Sequence, residues 1–300
     1  MTASTALRRT RSTLDDLPQV FLGAEAVRRG WLTPDQLRGP LVQRLLPGAY
    51  AAAERPRTHA LRCAAAGLLV PPGAMLTGAS LATVRGCGLL RTDDDVEVVL
   101  AESAFRSRVR GIRQRRVVVP LAPPAGFWGD LPTADPARMA FDLAVGRPLA
   151  QAVARLDAAA HAGLVDVRVL REALAQHRER GVVAVRRALE LADGRAASPP
   201  ESELRLLLAV AGVAVTPQVV VRTVDGAFVA RVDLAVDGTR VAVEYDGAWH
   251  GLASQVDRDR ARLNALQDAG WTVVHVTAEM MRDPAGVVAA VRRAVARAAR

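Results

Sequence analysis

Two Asp-Gly steps, Asp225-Gly226 and Asp237-Gly238, stand twelve residues apart between runs of alternating apolar residues. Asp-Gly pairs adopt the positive φ angles that a tight hairpin turn demands, so this part of the chain is committed to an antiparallel meander. The expected strands are residues 218–223, 228–236 and 240–246. Upstream, Ser198, Pro199, Pro200 and Glu201 make a capping box with proline at the first helical position, starting a helix that runs to about residue 211. Downstream come a helix over about 255–269, a strand over 271–277 and a terminal helix opened by Pro284. The order is helix, three strands, helix, strand, helix.

If Asp237-Gly238 is a two-residue loop, Val236 faces Thr239, Asp233 pairs with Ala242, and Arg231 pairs with Glu244. Opposed residues share a face and side chains alternate along a strand, so Asp233, Ala242, Glu244 and Asp246 point one way. Val232, Leu234, Val241, Val243 and Tyr245 point the other. Asp233 and Glu244 are then diagonal neighbours about 7–8 Å apart at the backbone, a gap two carboxylates close around one divalent cation. Carboxylates in an apolar hairpin are costly unless a cation or arginines neutralise them. A solvated face with Arg231 paired to Glu244 is the alternative, and spacing alone leaves the two readings level.

The rest of the chain constrains function less. Three hundred residues, half of them hydrophobic, fit two or three domains with a sizeable core. No uninterrupted apolar run of about 18 residues is present, and the N-terminal stretch lacks a signal peptide's apolar core, so the expected location is cytoplasmic, away from membranes. Cys63 and Cys87 are the only cysteines and have no ligand spacing, which argues against a disulfide scaffold or zinc ribbon and reads both as buried apolar fillers. All 40 basic residues are arginine and the formal charge is +9. Coding bias accounts for an arginine- and alanine-rich chain first; a polyanionic partner such as DNA is the second reading.

The expected class is α+β in several parts. A polar leader, residues 1–16, precedes a module over 17–55 in which a helix near 24–29 ends at Gly30, Thr33 caps a second helix with Pro34 at its first position, and residues 42–50 form a hairpin. That is a minimal winged helix-turn-helix, or equally a small subdomain that binds nothing. Residues 56–145 read as mixed α/β, with strands expected at 96–100 and 115–120; the arginine-rich run over 105–120 is a charge-protected edge strand or a DNA-facing ribbon. Residues 146–197 read as a helical connector and linker, and residues 198–300 as the last domain.

The succession "SPPESELR", "RVDLAV", "VAVEYDGAWH" and "DRARLNALQDAGWTVVHVT" resembles the Vsr-like domain of unknown function, a branch of the PD-(D/E)xK restriction-endonuclease superfamily. The pattern is carried by Glu244, Asp246, Gly247, His250, Asp259, Arg262, Leu266, Gly270 and Trp271, over about residues 198–295, and the αβββαβ order agrees. More loosely, "FLGAEAVRRGWLTPDQLRG" and "LPTADPARMAFDLA" are similar to an AbiEi-type antitoxin-like N-terminal region. The resemblance implies Asp233 and Glu244 as ligands of Mg²⁺ or Mn²⁺, and Asp246 as a further ligand or an anchor for His250. His250 is implied as general base or leaving-group acid, and Glu201 as an extra acidic site residue, a role level with its place in the capping box. Arg262 is implied as a phosphate contact, with pairing to Asp259 along the helix as the alternative; Arg205, Arg258 and Arg260 are the remaining DNA-contact candidates. The superfamily's lysine is replaced by Asp246, which leaves open whether the site hydrolyses. A metal-dependent DNA endonuclease is the leading expectation. The alternative is a DNA-binding regulator or antitoxin-like protein on an inactive nuclease fold, and a homodimer is compatible with either.

Overall fold

Turn and cap chemistry position the first elements. The computed structural model describes residues 17–104, 108–118, 121–247 and 253–299, side chains of 253–259 excepted. Strand β1 (Phe21–Leu22) runs into helix α1 (Gly23–Arg28), and Gly30 turns away from it at φ 69°. Helix α2 (Pro34–Arg38) starts on a complete capping box: Gln36 N donates to Thr33 Oγ1 at 3.2 Å and Thr33 N donates to Gln36 Oε1 at 2.8 Å. Strands β2 (Val42–Leu46) and β3 (Ala49–Ala52) form the hairpin, and β1 pairs with the far side of β3. Leu17, Phe21, Ala26, Leu32 and Val42 bury a small core between these elements.

Helix α3 (His59–Gly67), strand β4 (Met75–Leu76), helix α4 (Gly78–Ala82) and strands β5 (Val96–Ala101), β6 (Ile112–Val117), β7 (Gly126–Trp128) and β8 (Leu131–Thr133) come next, then helix α5 (Pro136–Ala144). The five strands make one mixed sheet in the order β6-β5-β4-β8-β7. Strand β6 begins three residues before its expected start at 115, because parallel pairing to β5 sets Ile112 opposite Val96. It is the edge strand, yet Arg115 turns to Asp142 and Glu179, and Arg116 donates to the carbonyls of Glu102 and Ala104. Cys63 is buried as expected; Cys87 is only half-buried, because it ends a π-turn that follows α4.

The chain divides into two compact units: the described residues up to Leu143 with Gln176–Val182, and Ala144–Ala175 with the residues from Val183 onward. Helices α6 (Leu149–His161), α7 (Val167–Ala175), α8 (Val182–Leu191) and α9 (Pro199–Val210) precede the second unit's sheet. Inside this unit the fully buried Asp157 accepts from Arg205 Nη2 at 2.9 Å and from Asp193 N at 2.6 Å, which ties α6 to α9.

Strands β9 (Val215–Arg222), β10 (Phe228–Val236) and β11 (Val241–Asp246) form the meander. Helix α10 (Ala253–Asp268) then crosses back to strand β12 (Thr272–Thr277), and helix α11 (Pro284–Ala298) closes the unit. The sheet order is β12-β11-β10-β9, antiparallel except for the parallel pair β11 and β12. Pro217 is tolerated in β9 because β9 is an edge. Leu234, Val236, Val241 and Val243 pack against α9 and α11 through Leu204, Leu208, Val287 and Val291. Val232, Ala235 and Ala242 pack against Leu266 of α10 on the other face. Each fully buried leucine or valine here contributes about 1.5–3 kcal/mol.

The expected register is corrected. Leu234 stands opposite Val243 and Ala235 opposite Ala242, so Val236 is followed by a four-residue loop, residues 237–240, rather than a two-residue turn. Thr239 N and Oγ1 both bond back to Val236 O, at 3.2 and 2.9 Å, which moves the turn two residues back from the strand and holds the loop closed. The paired register ends at Leu234 opposite Val243, so Asp233 lies at the Glu244–Tyr245 end of β11 rather than opposite Ala242, and its carboxylate reaches Tyr245 N. The face assignment holds for Leu234, Val241, Val243 and Tyr245 but not for Val232, which packs with the opposite cluster, so strict alternation is interrupted at Asp233.

Candidate functional site

The interruption at Asp233 is where polar groups collect. Instead of only a backbone ladder bond, the Asp233 carboxylate itself bridges to β11: its Oδ2 accepts from Tyr245 N at 3.0 Å. Across β10 on the other side lies Gln218 of β9, the sole non-glycine residue with positive φ (55°) among the described residues. Such a backbone costs of order 1 kcal/mol and persists where the surroundings impose it. Here the Gln218 side chain donates to Glu201 Oε2 at 3.0 Å. A sequence signal for this kink is weak: Gln218 follows a proline in a strand and is neither glycine nor asparagine.

Glu201 comes from the first turn of α9. Its carboxylate accepts from Ala197 N at 3.0 Å and Ser198 Oγ at 2.8 Å, while its own N–H donates to Ser198 Oγ at 3.4 Å. The Ser198 half of the expected capping box forms but the return bond goes to Ala197 N instead of Ser198 N, and Glu201 at the same time lies close enough to Asp233 to repel its charge. Burial, then Glu201, then Glu244 push the Asp233 carboxyl up to about 6, against a pull from the Tyr245 amide and Arg262.

Glu244 is 6% exposed and fully engaged. Arg262 of α10 grips it with both arms, Nη1 to Oε2 at 2.7 Å and Nη2 to Oε1 at 2.5 Å. This planar two-point pairing is the geometry in which arginine exceeds lysine. The same Nη2 donates to Arg231 O at 2.9 Å.

Asp246 lies two residues further along β11. His275 Nδ1 of β12 is 3.0 Å from Asp246 Oδ2, without hydrogen-bond alignment. The parallel register sets His275 beside Glu244, and the sequence reading passed this histidine over. Its apolar setting, "VVHVT", gives no hint, because only the strand pairing brings it to the acidic face.

Of the expected site residues, Glu201, Asp233, Glu244 and Arg262 come together. Asp246 has His275 as its neighbour, and Arg260 is exposed on α10. Arg205 is separate: its guanidinium is spent on Asp157 and on Leu191 O, at 2.9 and 2.8 Å. His250 and the side chains of Arg258 and Asp259 lie outside the described residues. Among the described residues no group of three or more carboxylate, histidine or cysteine side chains converges to hold a metal ion. Two carboxylates nonetheless fit Mg²⁺, which takes one or two from the protein and completes its shell with water and phosphate oxygens. The charge repulsion at Asp233 is the cost such a cation offsets.

Residues 201–295 match the model of a restriction-endonuclease-like family, REase_MTES_1575, so the second unit carries a C-terminal domain of that kind. Two uncharacterized proteins of Mycobacterium tuberculosis, MT2308 (strain CDC 1551 / Oshkosh) and Rv2248 (strain ATCC 25618 / H37Rv), are each 35% identical over 173 residues. The match spans 57% of this chain and 64% of theirs, less than two thirds of their length. The crystal structure of the RV2827C protein from Mycobacterium tuberculosis aligns at a TM-score of 0.41 and 19% identity, over 73% of this chain and 85% of that one. Among the described residues no helix is long and apolar enough to cross a membrane.

Proposed function

We propose that this protein is a divalent-metal-dependent DNA endonuclease whose site is built on Asp233 and Glu244, with Mg²⁺ or Mn²⁺ as the cation. One observation carries the reading: inside a restriction-endonuclease-like domain, a half-buried Asp233 and a buried Glu244 come from the same end of adjacent strands, and burial, Glu201 and then Glu244 raise the Asp233 pKa. A cation bound there supplies charge for the scissile phosphate and acidifies the attacking water. Asp233 and Glu244 are its ligands. Glu201 holds the start of α9 and aligns Gln218 against Asp233. His250 is the proton carrier of this proposal, and Asp246 its anchor. Arg260 and Arg258 offer phosphate contacts along α10.

The N-terminal helix, turn, helix and hairpin supply a second DNA contact, in the manner of a winged helix-turn-helix. Repair, restriction or defence is the setting such an activity serves, in the cytoplasm. A second reading has one observation in its favour: both Glu244 oxygens are already bound by Arg262, as on a nuclease scaffold retained for DNA binding alone. The deciding experiment incubates the protein with duplex, nicked, mismatched and single-stranded DNA in Mg²⁺ and in Mn²⁺. Cleavage that disappears in Asp233→Ala supports the nuclease. Sequence-specific binding without cleavage, unaffected by Asp233→Ala and lost when residues 1–55 are removed, supports the regulator instead.

A further inference from the structure

Glu244 is buried, and a carboxylate taken out of water needs hydrogen-bond or charge partners there. In the structure its partner is the Arg262 guanidinium, which occupies both carboxylate oxygens. A divalent cation that takes Glu244 as a ligand meets the same two oxygens, and its charge and the guanidinium's repel each other across one carboxylate, so the two compete for it. The Arg262 side chain is 35% exposed against 7% for Glu244, so its head can turn toward solvent, at the cost of its bond to Arg231 O as well as the pair with Glu244.

We infer that Arg262 is the resident counter-ion of this site, and that a divalent cation gains Glu244 only by displacing its guanidinium. The inference rests on the reading of Asp233 and Glu244 as cation ligands. Two properties follow. Cation affinity is set by an exchange rather than by filling a prepared cage, so it is weak in the free protein. Once released, the guanidinium faces an anionic ligand beside the cation, so cation and phosphate each favour the other's binding.

The test is a calorimetric titration of Mn²⁺, without DNA, into the full chain and its Arg262→Gln and Arg262→Lys variants. Arg262→Gln is expected to bind Mn²⁺ about tenfold more tightly or better, the value of a charge-assisted pair that no longer has to be broken. Arg262→Lys, which keeps the charge but not the two-point grip, falls between Gln and Arg. Arg292→Gln, which removes an equal charge from α11 on the other face, matches the unaltered protein. In thermal melts, Arg262→Gln without metal unfolds at a lower temperature than the unaltered protein, and saturating Mn²⁺ raises its midpoint by the larger amount. Asp233-dependent Mn²⁺ binding that Arg262→Gln does not tighten, or that Arg292→Gln tightens equally, overturns the inference and leaves the cation ligands in place. An absence of site-specific Mn²⁺ uptake in every protein overturns both. If Arg262→Gln folds only with metal present, the comparison of Lys with Arg decides by the same criterion.

Discussion

Asp233 is held in a state its own chemistry resists. In the fold burial and the charges of Glu201 and Glu244 push its carboxyl up to about 6 from its ordinary 3.8. The folded protein therefore binds this proton more tightly than the unfolded chain does. Its contribution to stability is present in full below 3.8 and is lost as the pH rises through about 6. Asp233→Asn keeps an acceptor for the Tyr245 amide and removes the charge. It is expected to raise the unfolding midpoint well above pH 6, by on the order of 1 kcal/mol once solvent screening of a part-exposed group is allowed for, and to leave it unchanged below pH 3.8. Melts of the two proteins across that range check this; equal midpoints at neutral pH would show that Asp233 carries no strain. Stability surrendered at a site is a mark of function in general, since residues selected for packing alone have no reason to repel one another.

At the scale of elements, the start of α9 and the kink of β9 are one device. Glu201 accepts from Ala197 N and the Ser198 hydroxyl and receives the Gln218 side chain, so the helix end and the strained strand residue are fastened together. Losing these acceptors leaves a buried amide and a hydroxyl unsatisfied. Glu201→Ala is expected to cost about 1–3 kcal/mol, read as a lower denaturant midpoint. A structural role predicts that Mn²⁺ affinity changes little beside its loss in Asp233→Ala; a loss as large as that one would make Glu201 a ligand. The full capping box expected there does not form, since Glu201 takes Ala197 N rather than Ser198 N, but the Ser198 cap itself was legible in "SPPESE" because it obeys local rules. Its fusion with Gln218 was not, because it joins residues 17 apart whose meeting depends on how a helix lies over a sheet.

At the scale of the molecule, the helices before residue 198 belong with the C-terminal sheet. Asp157 of α6 has no exposure and is the partner of Arg205 on α9, with burial pushing its carboxyl up and Arg205 pulling it down. A chain cut to residues 198–300 leaves Arg205 without that carboxylate and the apolar side of α9 without α6. It is expected to unfold at lower denaturant than a chain of residues 144–300, with a smaller slope because less surface is exposed on unfolding. Equal midpoints would show that the helices contribute nothing to the nuclease-like domain.

The sequence by itself determined the elements of the last hundred residues: the capped helix, the meander at its Asp-Gly steps, the crossing helix and the closing pair. All are set by backbone preferences and by apolar periodicity within a few residues. It also marked the acidic face of Asp233, Glu244 and Asp246 as one that folding alone does not require. Only the tertiary structure decided who faces whom. A four-residue loop shifted the register and brought Asp233 to the Glu244–Tyr245 end of β11; parallel pairing of β11 with β12 brought His275 to the acidic face; α10 delivered Arg262 onto Glu244. Each depends on contacts between segments far apart in the chain, where a shift of one residue changes every neighbour while leaving local preferences satisfied.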